Sequence, residues 1–196
     1  MKFTAVQNFT SLAELLRFYG DADEIVFNSH TELGEAEIAE ACHDGRWLAN
    51  RLRLRNGAKR VEEIAASYGC RVVRESWQVA EGKMIFLGEC LLRKKEDLPQ
   101  EGDMLIRVNF DATTSLAEFM KHWADDAERQ WFNETKISEV VVAHELFHLL
   151  EQKPHSTKLE LAAHAFARAM TELPFSPLLY DALLIRLATG KKTLTI

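Results

Sequence analysis

Residues 137–151, ISEVVVAHELFHLLE, decide how the rest of the chain is read. His144, Glu145 and His148 form H-E-x-x-H, and residues four apart on an α-helix lie one turn apart on nearly the same face. Both imidazoles can therefore reach one ion, and the carboxylate of Glu145 lies beside them. Ile137, Val140 and Val141 continue the histidine face, while Val142, Leu146, Leu149 and Leu150 make the other faces apolar. Such a helix is expected to be buried. Polar groups inside it are costly unless something pairs with them, and a metal would do so. The competing reading is a core helix whose histidines are satisfied by neighbouring side chains.

A metal held by two histidines needs at least one more protein ligand, and three residues downstream offer one: His155, Glu160 and His164. The longer motif H-E-x-x-H-x-x-G-x-x-H would need Gly at 151 and His at 154, where this chain has Glu151 and Pro154, so His155 fails on spacing. Glu160 opens the next helical pattern, KLELAAHAFARAMTEL, which a short polar loop containing Pro154 should fold back against the first helix. The economical division makes Glu160 the third ligand and leaves His164, one turn later, to hold a ligating group in orientation. Each has a plainer alternative. Glu160 would also suit a helix's first turn through the dipole, and His164 would also suit a packed neutral histidine.

The remaining chain supplies context for an α+β protein. A possible capping box, Ser11 with Glu14, precedes LAELLRFYG, and another helical pattern runs over residues 32–42. Residues 46–60 hold Arg46, Arg51, Arg53, Arg55, Lys59 and Arg60 with no acidic residue, which reads first as a solvated helix face. Asn56-Gly57 signals a turn, and a boundary is placed there between a helical N-terminal appendage, 1–56, and a main domain, 57–196. After a helix ending at Gly69, CRVVRESWQV, KMIFLGECLL and MLIRVNF read as three strands in series, a small, mainly antiparallel sheet. A helix from about Thr114 carries Leu116, Phe119, Met120, Trp123 and Ala127 on one face, the motif helix follows a break at Asn133, and SPLLYDALLIRLATG closes the chain.

The net charge of −6 argues against direct contact with nucleic acid or with a membrane surface. The longest apolar run is interrupted by the motif, and MKFTAVQNFTSLAELL lacks the apolar segment of an export signal, so a cytoplasmic protein is expected. Cys42, Cys70 and Cys90 are widely spaced and read as reduced thiols. The oligomeric state is not encoded in any of these patterns.

HELFHLLE followed by ELAAHAFA resembles the gluzincin pattern, in which H-E-x-x-H is completed by a glutamate on the next helix. A preceding VEEIAASYGCRVV, then a small sheet and this helix pair, is similar to the ImmA/IrrE metallopeptidases over residues 61–174. The resemblance implies a zincin-like fold and a zinc-dependent endopeptidase with His144, His148 and Glu160 as ligands and Glu145 as general base. It also implies a protein substrate, a repressor-like regulator being the expected kind. Phe147 stands where the pattern has a small residue, an expected narrowing of the cleft, and His164 stands where it has Asp or Asn. Residues 94–131 form a longer connection than usual. An extended substrate is expected to pair with MLIRVNF or MIFLGEC, and Tyr180 or His155 could assist at the oxyanion. The alternative is a catalytically idle zincin-like regulatory or protein-binding module.

Overall fold

In the computed structural model, residues 11–20, 33–77, 87–92 and 104–188 are described. They form seven helices and one three-stranded mixed sheet, an α+β arrangement: α1 Leu12–Gly20, α2 Glu35–Asn56, α3 Val61–Ser67, β1 Cys70–Glu75, β2 Gly88–Leu92, β3 Met104–Asn109, α4 Phe110–Met120, α5 Glu134–Glu151, α6 Thr157–Thr171 and α7 Leu178–Ala188. The start of KMIFLGECLL, the end of CRVVRESWQV and the predicted stop at Gly190 lie outside the described residues.

The sheet departs from the expected antiparallel order. Its strands run β1-β3-β2, with β1 parallel to β3 (Val72 opposite Ile106) and β2 antiparallel to β3 (Cys90 opposite Ile106). The physical reason lies in burial. Leu105, Ile106, Val108 and Asn109 of β3 are all buried, so both of its edges need ladder partners, whereas β1 is exposed at Arg71 and Arg74 and suits an edge. On the open face Arg107 of β3 ties all three strands together. It bonds Glu75 of β1 at 3.0 Å, pairs with Glu89 of β2, and lies 4.9 Å from the ring centroid of Trp77.

A second departure follows directly. The strand expected to include Phe110 stops at Asn109, because the Asn109 side chain accepts from the Ala112 N–H at 3.1 Å and starts α4 there. The helix expected near Thr114 thus begins at Phe110 and ends at Met120, and Trp123 and Ala127 fall in the turns that follow.

The α5/α6 pair forms the centre. Asn133 caps α5 through the Lys136 N–H at 2.9 Å, and Ser156 caps α6 through the Leu159 N–H at 3.2 Å. The two helices run antiparallel: Lys136 at the start of α5 donates to the Thr171 carbonyl at the end of α6 at 2.7 Å. Buried residues surround α5 on every side, including Ile137, Val140, Val142, Leu146, Phe147 and Leu149.

Helix α2, placed in the expected N-terminal appendage, lies along α6 and shares one buried cluster with it. Gly45 makes this crossing fit. A Cβ there would sit under 3.0 Å from the Ala162 carbonyl oxygen and the Phe166 nitrogen. The basic run is partly used in the same contact: Arg53 bonds the Ala169 carbonyl at 3.2 Å and pairs with Glu172. Lys158 of α6 bonds Glu40 of α2 at 2.7 Å. At the opposite end, Arg168 donates to the carbonyls of Gly20 (3.1 Å) and Pro174 (2.8 Å), joining α1 to the chain after α6.

Replacing Gly45 with Ala tests this crossing, because the two relevant effects have opposite signs. Helix propensity alone would stabilise the variant by about 1 kcal/mol. Overpacking against backbone atoms costs about 1–3 kcal/mol and should win. Urea unfolding of Gly45→Ala is therefore expected to show a lower midpoint than wild type, and a higher midpoint would show that α2 does not approach α6 this closely.

Candidate metal centre

His144 and His148 project from one face of α5, and Glu160 meets them from the first turn of α6. The Nε2 atoms of the two histidines are 3.1 Å apart. Glu160 Oε1 lies 3.0 Å from His148 Nε2, and Glu160 Oε2 lies 3.4 Å from His144 Nε2. All three donors fall within 4.8 Å of one another. The side chains are mostly covered, with exposures of 17, 13 and 27% for His144, His148 and Glu160, which leaves a narrow approach.

These contacts leave one Glu160 oxygen unsatisfied. Glu160 Oε1 is buried and receives no aligned hydrogen bond, although imidazole nitrogens stand around it. An imidazole's Nε2 direction is fixed by its ring, so nitrogens this near an oxygen without hydrogen-bond alignment are aimed beside it. Leaving a buried carboxylate oxygen in that condition costs about 1–3 kcal/mol or more. A cation at the common point removes the cost. Bonds of about 2.0–2.1 Å at tetrahedral angles place donors roughly 3.3 Å apart, which matches the spacings here, and two nitrogens with one carboxylate oxygen are a donor set suited to zinc.

The electrostatics agree with a strongly coupled cluster. Burial works against charge on Glu160, yet the His144 and His148 rings beside it hold its carboxyl well below the usual range. Burial likewise opposes a proton on His144, but Glu160 and then Glu145 outweigh it and raise its pKa. His164 is buried, and burial with the neighbouring His144 pushes its pKa well below the ordinary value, so it is neutral. Its ring lies 4.6 Å from that of His144, tilted by 59°, and its Nε2 is 3.9 Å from Asp181 Oδ2. His164 thus backs the His144 ring.

Glu145 faces the sheet. A Cβ at Gly88 would come within 3.5 Å of Glu145 Cγ and under 3.0 Å from Val141 Cγ1, so the absent side chain lets β2 lie directly on α5. The Cys90 thiol is beside the Glu145 carboxylate; burial first, and then that negative charge, push its pKa up to about 12.

Several expectations are corrected by this geometry. Phe147 is buried with its ring 5.4 Å from Phe166, and it lines a groove of about 610 Å³ with Trp47, Leu48 and Ala162, so it serves the α2/α6 side and does not narrow the donor cluster. Tyr180 donates to the Trp131 carbonyl at 2.6 Å and packs on Phe132 and Phe175; it has no place at an oxyanion. MLIRVNF is the central strand, leaving β2 as the edge nearest Glu145. His155, by contrast, does reach the cluster, 2.8 Å from Glu160 Oε1.

The reading from residues missed Asp181, Gly88 and Cys90 as neighbours of the cluster. Asp181 carried a signal, being the lone acid in LLYDALLIRLA. Gly88 and Cys90 carried none before strand order was known. Comparison with protein-family models, curated proteins and solved structures finds no match.

The Cys90 environment predicts thiol chemistry. In metal-free protein at pH 8, alkylation of Cys90 by iodoacetamide should be slower than in unfolded chain by roughly a hundredfold or more. Glu145→Gln should recover part of the rate. Equal rates for folded and unfolded protein would show that the thiol is not held against Glu145.

Proposed function

We propose that this chain is a zinc-dependent peptidase of zincin-like fold that hydrolyses a peptide bond in a protein or peptide substrate. The single observation that carries the reading is that Glu160, from a separate helix, arrives at the point where His144 and His148 converge. A stray H-E-x-x-H in a core helix has no reason to acquire a third donor at coordination spacing. When bound, the ion would supply a Lewis acid that acidifies water and polarises a carbonyl.

The chain's own groups provide the rest. His144, His148 and Glu160 would hold the ion, with His164 packed behind His144 to fix its ring. Glu145, between the cluster and β2, is placed to take a proton from water and return it to the leaving amine. The outer edge of β2 has no strand partner among the described residues, and an extended peptide adding there would pass the Glu145 carboxylate. This arrangement keeps water, base and scissile carbonyl on one side of α5. The similarity of the motif pair to ImmA/IrrE peptidases extends the proposal to a cytoplasmic enzyme acting on a repressor-like regulator.

Two variants separate binding from catalysis. Glu145→Gln should retain stoichiometric zinc while losing about 10²–10⁴-fold in hydrolysis of a denatured protein substrate. His144→Ala should lose both metal and activity, and a chelator should abolish wild-type activity. Full hydrolysis by Glu145→Gln, or no hydrolysis by zinc-loaded wild type on unfolded proteins and a peptide library, would contradict the reading.

A further inference from the structure

Helix α2 has two unlike faces. Ile38, Ala41, Cys42, Gly45, Ala49 and Leu52 are buried on the side that meets α6. On the other side Glu40, Asp44, Trp47, Arg51, Leu54 and Arg55 are all exposed, and their spacings of three, four and seven residues make them one stripe along the helix. Leu54 at 88% and Trp47 at 53% are the two most exposed large apolar side chains among the described residues. Beside Trp47 opens the groove of about 610 Å³ that Leu48 and Phe147 also line. Apolar surface of this kind rimmed by charge marks a contact with another protein surface.

The charges on the stripe are segregated about Trp47: Glu40 and Asp44 precede it, and Arg51 and Arg55 follow it. The helix dipole favours acids in the first turn and bases in the last, which accounts for Glu35, Glu37, Arg53 and Arg55. It does not account for Asp44 and Arg51, because the effect fades within the terminal turns. Glu40 and Asp44 are like charges four residues apart, and so are Arg51 and Arg55, a placement that is unfavourable within a single helix. Lys158 relieves only Glu40, at 2.7 Å. Arg51 lies over the Trp47 ring, 5.1 Å from its centroid, but among the described residues Asp44, Arg51 and Arg55 have no ion-pair partner.

We propose that this face of α2 is a self-complementary surface on which a second copy of the chain docks, the two α2 helices running antiparallel about a two-fold axis between Trp47 and Leu48. Asp44 and Arg51 stand at equal distances from that axis, and so do Glu40 and Arg55. Each Asp44 therefore lies opposite Arg51 of the other copy, and each Glu40 opposite Arg55. A two-fold contact uses the same patch on both partners, so one set of residues supplies both halves of every pair. The charges that repel along one helix attract across the axis. Trp47 of each copy comes over Leu48 and the groove of the other, an aromatic anchor entering a concave surface. One helix face roughly 33 Å long is a small contact, so a dissociation constant of roughly micromolar order is expected. The proposal does not depend on the metal centre or on peptidase activity.

The test follows the mass of the full-length protein by sedimentation velocity over a wide range of concentration. Wild type is expected to pass from the mass of one chain toward that of two as concentration rises, and to do so less readily in high salt. Asp44→Arg and Arg51→Glu each set like charges against one another twice across the axis, and each alone should weaken the dimer about tenfold or more, as should Trp47→Ala. Mixed in equal amounts, the two charge-reversed chains regain both opposite-charge pairs, and a dimer containing one of each should form about as readily as the wild-type dimer. All three positions are exposed, so circular dichroism and thermal unfolding of the monomers should match wild type. A wild-type chain that keeps the mass of one copy at every concentration would overturn the proposal. So would charge-reversed chains that associate singly as wild type does, or that fail to associate when mixed.

Discussion

The arrangement depends on one constraint: a glutamate and two histidines must be brought face to face between two apolar helices, with one Glu160 oxygen left without a hydrogen-bond partner. Glu160 and the α5 histidines crowd to 3.0–3.4 Å in a largely covered setting. Removing such groups from water is unfavourable by several kcal/mol unless a charge is placed among them. The fold must therefore supply rigid positioning, and it does so from outside the pair. Lys136 locks the far end of α5 to α6, Gly45 lets α2 lie on α6 at backbone distance, and two side-chain caps set where each helix begins. Of these residues Ser156 meets the cluster through its carbonyl, which accepts from the Glu160 N–H at 3.0 Å, and together they fix the register that places Glu160 opposite His148.

The sheet meets the same pair from the other side. By taking the centre, β3 leaves β2 at an edge, and Gly88 allows that edge to rest on Val141 and Glu145. The Cys90 thiol, kept protonated by burial and by Glu145, is a neutral neighbour for the carboxylate and adds no competing charge. A small sheet thus acts less as a core of its own than as a wall beside the candidate base, with Arg107 holding its three strands together on the open face.

Much of this was legible in the residues, and for local reasons. Asn133, Gly57 and Gly69 mark ends and turns through a side-chain cap or positive φ, which neighbouring residues alone determine. The two-helix hairpin followed from a short polar loop between apolar periodic stretches. What could not be read was set by distant partners. Strand order depends on which strand is buried on both sides, and Phe147 looked like a cleft residue until α2 supplied the surface it packs beside. His155 was set aside on motif spacing, although spacing along the chain says nothing of where a left-handed Gln152 sends the next residues. The helical pattern expected over residues 32–42 runs on to Asn56 through Gly45, the position at which α2 and α6 meet at backbone distance.

The central claim is that His144, His148 and Glu160 hold one ion, and the most direct measurement is a crystal structure of zinc-soaked protein with anomalous data collected across the zinc edge. A single strong anomalous peak bonded to both Nε2 atoms and a Glu160 oxygen at about 2.0–2.2 Å is expected. An absent peak, or one placed elsewhere with Glu160 still against the two imidazoles, would contradict it.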